Sequence, residues 1–534
     1  MKIDLVNPRY PLSLWDFSLC RDLDGYAYPH APLSLPTLAA LTPPPHTVRL
    51  IDENATPVDL ASTADIVGLT GYWIQRQRVF ELADHFRRRG QRVAIGGPIV
   101  ERSTVAEVAR HADHVFLGEA EHTWPRFLAD LAAGRAEPLY EQPTLIDMAD
   151  SPTPRFDLLA PGAYAAATIE TSRGCPYACE FCEIPGRLGA RSRTKSVAQV
   201  IAEVRLHHRL GATTVFFVDD HFIGNKKRAF ALLDALADFV RAIDHRMFFS
   251  CQFTINLAND TELLERLAAA NFRRAFVGIE TPRRDGLALA QKKQNLVVDL
   301  ASAVRRLHAY NIVVWAGLIV GFDTDDPAVF DDQLALLDAA SIPVAMIGRL
   351  QAIPGTPLHD RMARAGRLRD ETALAGVRGA YESLIASNIE PTCMPEPDLV
   401  RGYQRLVRAA YAPEAFGRRV VAALTAGTRP IARARTGVTA RHLGVLARLA
   451  RWYLLDGDRD RRRMFLAVVG PILRQRPEQL PTALAHLVVY KHLAAFYARV
   501  AALDVPSHPQ SPPLDGGLTP QALERSIASG AASV

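Results

Sequence analysis

The segment Thr171-Ser172-Arg173-Gly174-Cys175-Pro176-Tyr177-Ala178-Cys179-Glu180-Phe181-Cys182 places three cysteines within eight residues. It follows a predicted strand, and Gly and Pro flank the first cysteine, which indicates a loop. Iron–sulfur clusters are held by Cys thiolates, and a cubane usually takes four. Three closely spaced cysteines ligate three irons and leave the fourth iron open to bind another molecule. The spacing therefore predicts a [4Fe–4S] cluster on Cys175, Cys179 and Cys182.

A zinc site and a set of buried structural thiols are the other interpretations of these cysteines. Structural zinc needs four closed ligands, and the nearest downstream histidines, His207 and His208, fall on a predicted helix. Buried structural thiols rarely crowd into a loop that contains Gly and Pro. A non-catalytic iron–sulfur or zinc protein, acting as a carrier or sensor, remains the alternative from another class.

Six β-rich runs, most of them followed by a helical pattern, extend from the cysteine segment over almost two hundred residues. Such βα repetition predicts a full or partial (βα)6 barrel like a TIM barrel, with its reactive face at the carboxyl ends of the strands. The cysteine loop follows the first run and so lies at that face. The predicted strands are Ala167–Thr171, Thr214–Asp219, Met247–Phe253, Ala275–Glu280, Ile312–Val320 and Val344–Leu350.

The first 135 residues also alternate strands with helices, which predicts a parallel, doubly wound (Rossmann-like or flavodoxin-like) sheet. The predicted strands are Ile3–Val6, Thr47–Ile51, Asp65–Leu69, Arg92–Ile95 and Asp113–Leu117. Glycines follow the last three of them, and ligands of open α/β sheets bind outside the carboxyl ends of the strands. Ordinary βα turns contain the same residue types, so composition alone leaves a ligand site open.

These patterns divide the α/β chain into five predicted regions. A doubly wound domain (1–135) leads through a proline-bearing linker (136–165) to the barrel (166–370), and a helical region (371–503) follows. The last residues, 504–534, are rich in Pro, Ser, Gly and Ala, a composition typical of disorder.

The formal net charge of +5 is small for 534 residues and does not by itself indicate a nucleic-acid partner. Arginines crowd the segment from Arg401 to Arg476, but they lack the aromatic interleaving of a single-strand groove. Basic helices with a leucine stripe can lie on a membrane surface, and a helical cap packed on the barrel is the competing interpretation. The scattered remaining cysteines and the absence of a signal peptide indicate a cytoplasmic protein, with peripheral membrane contact left open.

The CxxxCxxC spacing, with the aromatic Phe181 before the last cysteine, resembles the radical S-adenosylmethionine (SAM) superfamily. Further similarity lies at Val218–Lys226, Gly278–Glu280, Gly317–Asp323 and Pro354–Thr356. The resemblance implies that SAM binds the open iron and is cleaved to a 5′-deoxyadenosyl radical. It also implies that Phe181 packs near the adenine, that Asp219 or Asp220 binds the SAM amino group, and that Glu280 lies near the ribose.

A doubly wound domain before such a barrel resembles the cobalamin-binding class of these enzymes, in the branch that includes the hopanoid C-2 methylase. That resemblance implies a corrin cradled by Thr70, Gly71, Gly96, Gly97, Gly118 and Glu119. The front domain, residues 1–135, contains no Asp-x-His-x-x-Gly signature, so the resemblance implies cobalamin bound without a protein histidine. The chain departs from the sequence of this branch at Cys251-Gln252 and at Tyr72-Trp73-Ile74. These departures put the hopanoid substrate in question more than they do the methylation reaction.

The resemblance implies a methyltransferase that places a methyl group on an unactivated carbon by way of methylcobalamin. A non-methylating cyclisation or oxidation by the same domains is the alternative among enzymes. The expected partners are a small-molecule or lipid-like substrate and an electron donor such as flavodoxin or ferredoxin. No general base is predicted, because radical hydrogen abstraction does not require one.

Overall fold

The computed structural model describes residues 1–244, 247–369, 387–392, 394–431 and 440–503. The predicted tail, 504–534, and the start of the predicted helical region, 371–386, lie outside the described residues. The strands in chain order are β1 (Lys2–Asn7), β2 (Tyr28–His30), β3 (Thr47–Asp52), β4 (Ile66–Thr70), β5 (Arg92–Gly96), β6 (His114–Leu117), β7 (Leu139–Glu141), β8 (Tyr164–Ile169), β9 (Ser172–Arg173), β10 (Arg193–Thr194), β11 (Thr214–Phe217), β12 (Phe248–Gln252), β13 (Phe272–Glu280), β14 (Val313–Val320) and β15 (Val344–Arg349).

Helices connect most of these strands and then form the C-terminal part of the chain. They are α1 (Arg21–Asp24), α2 (Ser34–Ala40), α3 (Arg76–Arg88), α4 (Val105–Val108), α5 (Ala120–Ala132), α6 (Ile184–Leu188), α7 (Val197–Arg209), α8 (Lys226–Ala242), α9 (Thr261–Ala269), α10 (Arg284–Leu289), α11 (Leu300–Ala309), α12 (Val329–Ala340), α13 (Pro357–Arg364), α14 (Glu396–Ala410), α15 (Pro413–Thr425), α16 (Ala440–Ala450), α17 (Arg459–Gln475) and α18 (Leu480–Ala502). Among the described helices, none is both long and apolar enough to cross a membrane.

The front sheet is parallel and doubly wound, as the sequence predicts. Its described strands lie in the order β3-β1-β4-β5-β6-β7, and the central β4 is buried along its whole length, as parallel strands covered on both faces are. Apolar residues of α3 cover one face and those of α5 cover the other. The short edge strand β7 falls within residues 136–165, where prolines hide any strand pattern.

The second sheet is a parallel half-barrel with the order β15-β14-β13-β12-β11-β8-β2. All six predicted barrel strands are present, with ends displaced by a few residues. The added strand β2 comes from the N-terminal part of the chain and pairs with β8, Tyr28 beside Tyr164 and His30 beside Ala166. Three residues with a central proline give no periodic signal, so the sequence does not predict this strand.

Residues between β1 and β2 cross from the front sheet to the half-barrel. Leu14, Phe17, Cys20 and Leu23 join the core of the barrel. On the same side α18 packs against residues 18–20, and Lys491 of α18 pairs with Asp22. The first and last described segments therefore meet beside the half-barrel.

Tyrosine hydroxyls from the C-terminal helices bind the outer edge of β15. The Tyr411 hydroxyl accepts a hydrogen bond from the Ala345 amide (3.0 Å) and donates one to its carbonyl (2.6 Å). The Ile347 amide donates to the Tyr497 hydroxyl at 2.7 Å, and the Tyr403 hydroxyl donates to the Ile347 carbonyl at 2.8 Å. An edge strand exposes unpaired backbone groups, and these hydroxyls satisfy them and fix the helices to the barrel.

Candidate active site

The three cysteines lie in the loop that follows β9, at the carboxyl end of β8. Gly174 has a φ of 93°, and a Cβ there would lie 2.6 Å from the Arg191 carbonyl oxygen and 2.7 Å from that of Gly189. Only glycine fits this position, which turns the chain into the loop. The Cys175 amide donates to the Gly189 carbonyl at 3.1 Å, and the Cys182 amide donates to the Cys179 carbonyl at 3.1 Å. The backbone of the loop is therefore held before any ligand binds.

The surroundings of the thiols suit a metal cluster. Burial raises the pKa of Cys175, and it raises that of Cys182 to about 11, while the backbone amides of Tyr177 and Ile184 oppose those shifts. The Gln294 side-chain amide donates to Cys179 Sγ at 3.4 Å. Amide donors to sulfur tune iron–sulfur clusters, and iron offsets the burial of the thiolates. Cysteine sulfurs with amide donors are the ligand set that a [4Fe–4S] cluster requires. Within the described ranges, no three His, Cys, Asp or Glu side chains surround a position for a single metal ion.

The two aspartates that follow β11 have different surroundings. Asp219 is fully buried, and its carboxylate accepts hydrogen bonds from the amides and hydroxyls of both Thr171 and Ser172. Burial raises the pKa of Asp219 to about 6, against the opposing effect of those hydrogen bonds. Asp220 is partly exposed and uses one carboxylate oxygen to accept the Gly174 amide at 3.0 Å. Asp219 holds the turn into the cysteine loop, and Asp220 keeps the more accessible carboxylate.

Glu280 ends β13 at a shift of register and has a φ of 66°. Its carboxylate pairs with the Lys292 ammonium, and both side chains are 8% exposed. Burial lowers the pKa of Lys292, but Glu280 and the Cys179 thiolate outweigh burial and raise it overall, so the lysine is a cation. The Lys292 ammonium also lies 5.7 Å from the centre of the Phe181 ring. Lys292 thus links Glu280 and Phe181, two of the residues predicted to contact SAM.

Sequence reasoning missed the roles of Lys292 and Gln294. Both lie between α10 and α11, in a stretch without hydrophobic periodicity. The only signal available was the excess of polar residues in Gln291–Asn295 directly after a barrel strand and its short helix.

The loops predicted to cradle a corrin all leave the carboxyl edge of the front sheet. They contain Thr70, Gly71, Gly96, Gly97, Gly118 and Glu119. Gly97 and Gly118 have φ values of 85° and 92°, and a Cβ at Gly118 would lie 3.0 Å from the Gln142 carbonyl oxygen. Tyr72 and Trp73, beside Gly71, are 52% and 39% exposed. Glycines with exposed rings next to them form a floor that a large flat ligand such as a corrin can approach closely.

The carboxylate of Glu119 is engaged by the barrel. It accepts hydrogen bonds from Arg173 Nη1 (2.8 Å), Arg193 Nη2 (2.9 Å) and the Ile146 amide (2.8 Å). Although burial opposes ionisation, the bonds from Arg193 and Arg173 lower the pKa of Glu119 overall. Because these bonds occupy the carboxylate, we expect residue 119 to contact a bound ligand through its backbone.

Arg173 stands two residues before Cys175 and binds three carboxylates. Its guanidinium contacts Glu119 at 2.8 Å, Glu121 at 2.8 Å and Glu170 at 2.9 Å. Two of these glutamates come from the loop and helix after β6, and Glu170 comes from the barrel. We name Arg173 and its three glutamates the Arg173 junction. The junction fixes the cysteine loop to the front sheet.

The Arg173 junction places the edge of the front sheet next to the cysteine loop. Burial raises the pKa of Tyr72, and the charges that act on its hydroxyl include Arg187 and Asp220 of the barrel side. Glu101, in the loop after β5, likewise has its pKa raised by burial and by Glu183. The glycine floor and the cysteine loop are therefore neighbours, and we refer to them as the two walls of the candidate site.

Two family descriptions match parts of the chain. Residues 169–334 match the radical SAM superfamily, and residues 356–503 match a domain of unknown function, DUF4070. The hopanoid C-2 methylase of Rhodopseudomonas palustris (strain TIE-1) is 33% identical over 426 residues, which cover 78% of this chain and 78% of that protein. The bacteriochlorophyllide d C-12(1)-methyltransferase of Chlorobaculum tepidum is 26% identical over 62% of this chain and 73% of its own.

Among solved structures, the fold resembles that of the radical S-adenosylmethionine methyltransferase TsrM from Kitasatospora setae, solved with cobalamin and a [4Fe–4S] cluster bound. The TM-score is 0.55 at 18% identity, over 71% of this chain and 76% of that one.

Proposed function

The chain belongs to the cobalamin-binding radical SAM family, in the branch of the hopanoid C-2 methylase, and on that premise we propose that it methylates an unactivated carbon of a small or lipid-like molecule. The observation that carries the proposal is the Arg173 junction, which holds the cysteine loop next to the loop after β6 and so next to the glycine floor. A methyl carrier on the floor would then face the radical source on the opposite wall, as methyl transfer to a carbon radical requires.

When bound, the cluster with SAM would supply radical chemistry and cobalamin would supply the methyl group. The protein binds and orients these groups. Cys175, Cys179 and Cys182 hold three irons, with the Gln294 amide donating to Cys179. Lys292 adds positive charge beside the thiolates, which offsets the cost of burying them.

We assign the SAM contacts to the more accessible groups on the cysteine wall. Asp220 would accept from the SAM amino group, since the carboxylate of Asp219 already has four hydrogen bonds. Asp219 would act indirectly, by fixing the turn before the loop. Phe181 would pack on the adenine, and Glu280, oriented by Lys292, would lie near the ribose.

We assign the cobalamin contacts to Thr70, Gly71, Gly96, Gly97, Gly118 and Glu119. The nearby histidines of the front domain are engaged elsewhere, His111 with the Asp84 carboxylate and His114 with the Glu137 carbonyl. Cobalamin bound without a histidine ligand fits this arrangement. Tyr72 and Trp73 would then lie against a face of the corrin.

Anaerobic reconstitution with iron, sulfide and hydroxocobalamin, followed by incubation with SAM and dithionite, tests the reaction. Methyl transfer predicts both 5′-deoxyadenosine and S-adenosylhomocysteine in the product mixture. Deoxyadenosine alone, with corrinoid bound, would contradict methylation and favour cyclisation or oxidation. Cys179→Ala is expected to lose the brown cluster, and Cys251→Ala, at a buried strand position, is the matched control that keeps it.

We further propose a cytoplasmic enzyme that takes electrons from flavodoxin or ferredoxin and touches a membrane surface. Support for the surface contact comes from exposed leucines, Leu443 (59%) and Leu446 (40%) on α16, and Leu466 (62%) and Leu473 (49%) on α17. Sedimentation with anionic vesicles tests it. Wild-type protein is expected to bind, and a Leu443→Ser, Leu466→Ser variant is expected to bind less. Equal sedimentation of both proteins would mean that these leucines do not contact lipid.

A further inference from the structure

The inner face of the half-barrel is open along β13. Arg274, Phe276 and Gly278 alternate with buried residues that face the surrounding helices, and each of the three keeps part of its surface accessible. In a complete TIM barrel side chains fill this space. The accessible residues of β13 therefore border room for a ligand inside the half-barrel.

A bulge in β13 sets which arginine faces this room. Phe249 of β12 stands beside Phe272, but the next residue, Ser250, stands beside Arg274, so Arg273 is the extra residue. Bulges redirect side chains. Arg274 accordingly stacks on Trp315 of the neighbouring strand β14, whereas the pKa of Arg273 is lowered by burial and then by the charge of Arg476.

Arg274 is a deeply placed cation without an ionic partner. Burial lowers its pKa to about 10, so it remains charged at neutral pH. Its guanidinium lies 4.3 Å from the centre of the Trp315 ring and donates a long hydrogen bond, 3.4 Å, to Ser250 Oγ. Over the part of the chain that the structure describes, no carboxylate forms an ion pair with it. A buried charge is costly unless it is paired.

Aromatic side chains surround this cation. Trp15 contacts the Phe276 ring at 5.4 Å between centres, and His30 contacts Phe216 at 5.3 Å. Burial lowers the pKa of His30 to about 3 and that of His486 to about 4, so both imidazoles are neutral. Trp315 donates its indole N–H to His486 at 3.3 Å. Around the Arg274 guanidinium the described neighbours are therefore aromatic rings, neutral imidazoles and the Ser250 hydroxyl.

We propose that Arg274 binds the anionic end of the substrate, a carboxylate or a phosphate, while the aromatic side chains enclose an apolar body. Guanidinium groups match both anions in bidentate geometry. This inference rests on the proposed function and narrows its substrate class. It assigns a role to a residue far from the cysteine loop.

The position of Arg274 also sets the length of the substrate. Glu280 lies six positions after it along β13, about 20 Å between the backbones at 3.3 Å per residue, and the Glu280 carboxylate folds back beside Gly278. The carbon that receives the methyl group must lie near the Glu280 end, which is the end next to the cysteine loop. The substrate is therefore elongated, with its anion at one end and the methylated carbon toward the other.

Binding of simple amphiphiles by the reconstituted holoenzyme tests this assignment. Decanoate and decyl phosphate are compared with decanol and decyltrimethylammonium, with tryptophan fluorescence as the readout because Trp315 stacks on Arg274. We expect at least one anion to bind ten times more tightly than decanol, and the tighter anion identifies the headgroup. Equal binding of decanol, or preference for the cation, would overturn the proposal without any variant.

Variants of Arg274 and of its neighbour Arg273 test whether Arg274 is the residue that binds the anion. Arg274→Met is expected to lose tenfold or more in affinity for the anion with little change for decanol, and Arg274→Lys is expected to retain part of the preference. Arg273→Met, at the adjacent residue, is the matched control and should bind like wild type. If Arg274→Met binds the anion as wild type does, the site is elsewhere. Formation of deoxyadenosine and S-adenosylhomocysteine is measured separately. Failure of the anion-binding proposal is therefore distinguishable from failure of the proposed methylation.

Discussion

The Arg173 and Arg274 guanidiniums are both largely removed from solvent, and the protein surrounds them in opposite ways. Arg173 contacts Glu119, Glu121 and Glu170, and although burial opposes its charge, these carboxylates raise its pKa well above the ordinary value. Arg274 contacts an indole and a hydroxyl, and burial lowers its pKa. Their surroundings indicate different roles: the first charge joins two domains, and the second is left for a ligand.

The largest effect is expected at the Arg173 junction. Arg173→Met leaves three carboxylates without their shared partner, and removing one member of a buried ionic group costs about 3–5 kcal/mol. Chemical denaturation followed by circular dichroism measures the loss in free energy of unfolding. Arg155→Met, which breaks an exposed pair with Asp157, is the control and should cost about 0–1 kcal/mol. Similar values for the two variants would mean that the junction is not structural.

A smaller loss is expected when one acid of the junction is neutralised. Glu119→Gln removes the charge that receives bonds from Arg173 and Arg193, and charge-assisted hydrogen bonds contribute about 1.5–3 kcal/mol. The same denaturation experiment measures it. Glu101→Gln, on the neighbouring loop, is the control, because burial raises the pKa of that residue and no arginine pair is lost. A Glu119→Gln variant as stable as wild type would refute the assignment.

Lowering the pH should weaken the contact of Glu119 with Arg173 and Arg193. Because the pKa of Glu119 is lowered on folding, its contribution is fully present above its unfolded pKa of 4.5 and is lost as the pH falls through the folded value. The difference in stability between wild type and Glu119→Gln is therefore expected to shrink as the pH falls below about 4.5. Denaturation midpoints at pH 7 and at successively lower pH provide the test. A constant difference would show that ionisation of Glu119 does not stabilise the junction.

The smallest effect, and one of opposite sign, is expected at Arg274. Arg274→Met removes an unpaired buried charge, so the protein without substrate should be as stable as wild type or about 1 kcal/mol more stable, after loss of the cation–π contact. Thermal denaturation of both proteins without added amphiphile gives the comparison. A loss as large as that of Arg173→Met would show that Arg274 has a structural partner and is not reserved for a ligand.

The strands and the three cysteines could be predicted because their signals are local. Hydrophobic runs between turn residues located the predicted strands of both sheets, and the close spacing of Cys175, Cys179 and Cys182 indicated a cluster. The strand β2 gave no such signal, because its three residues become a strand only by pairing with β8, more than a hundred residues away in sequence.

The roles of the carboxylates could not be predicted, because each role depends on hydrogen-bond partners that are distant in the sequence or equally available to a neighbouring residue. Glu119 ends a strand like a ligand-binding residue, yet its partner Arg173 is 54 residues away. Asp219 and Asp220 are adjacent, and only the structure shows that Thr171 and Ser172 saturate the first. The lumen position of Arg274 depends on the bulge at Arg273, which no pattern of residues announced.

The most direct test follows a labelled methyl group into an unknown product. The reduced holoenzyme is incubated with methyl-labelled SAM and an extract of its native host, and the extract is then separated by anion exchange. We expect label in a compound that the anion exchanger retains, and loss of that label with Arg274→Met but not with Arg273→Met. Label that appears only in neutral compounds, at equal levels for all three proteins, would contradict it.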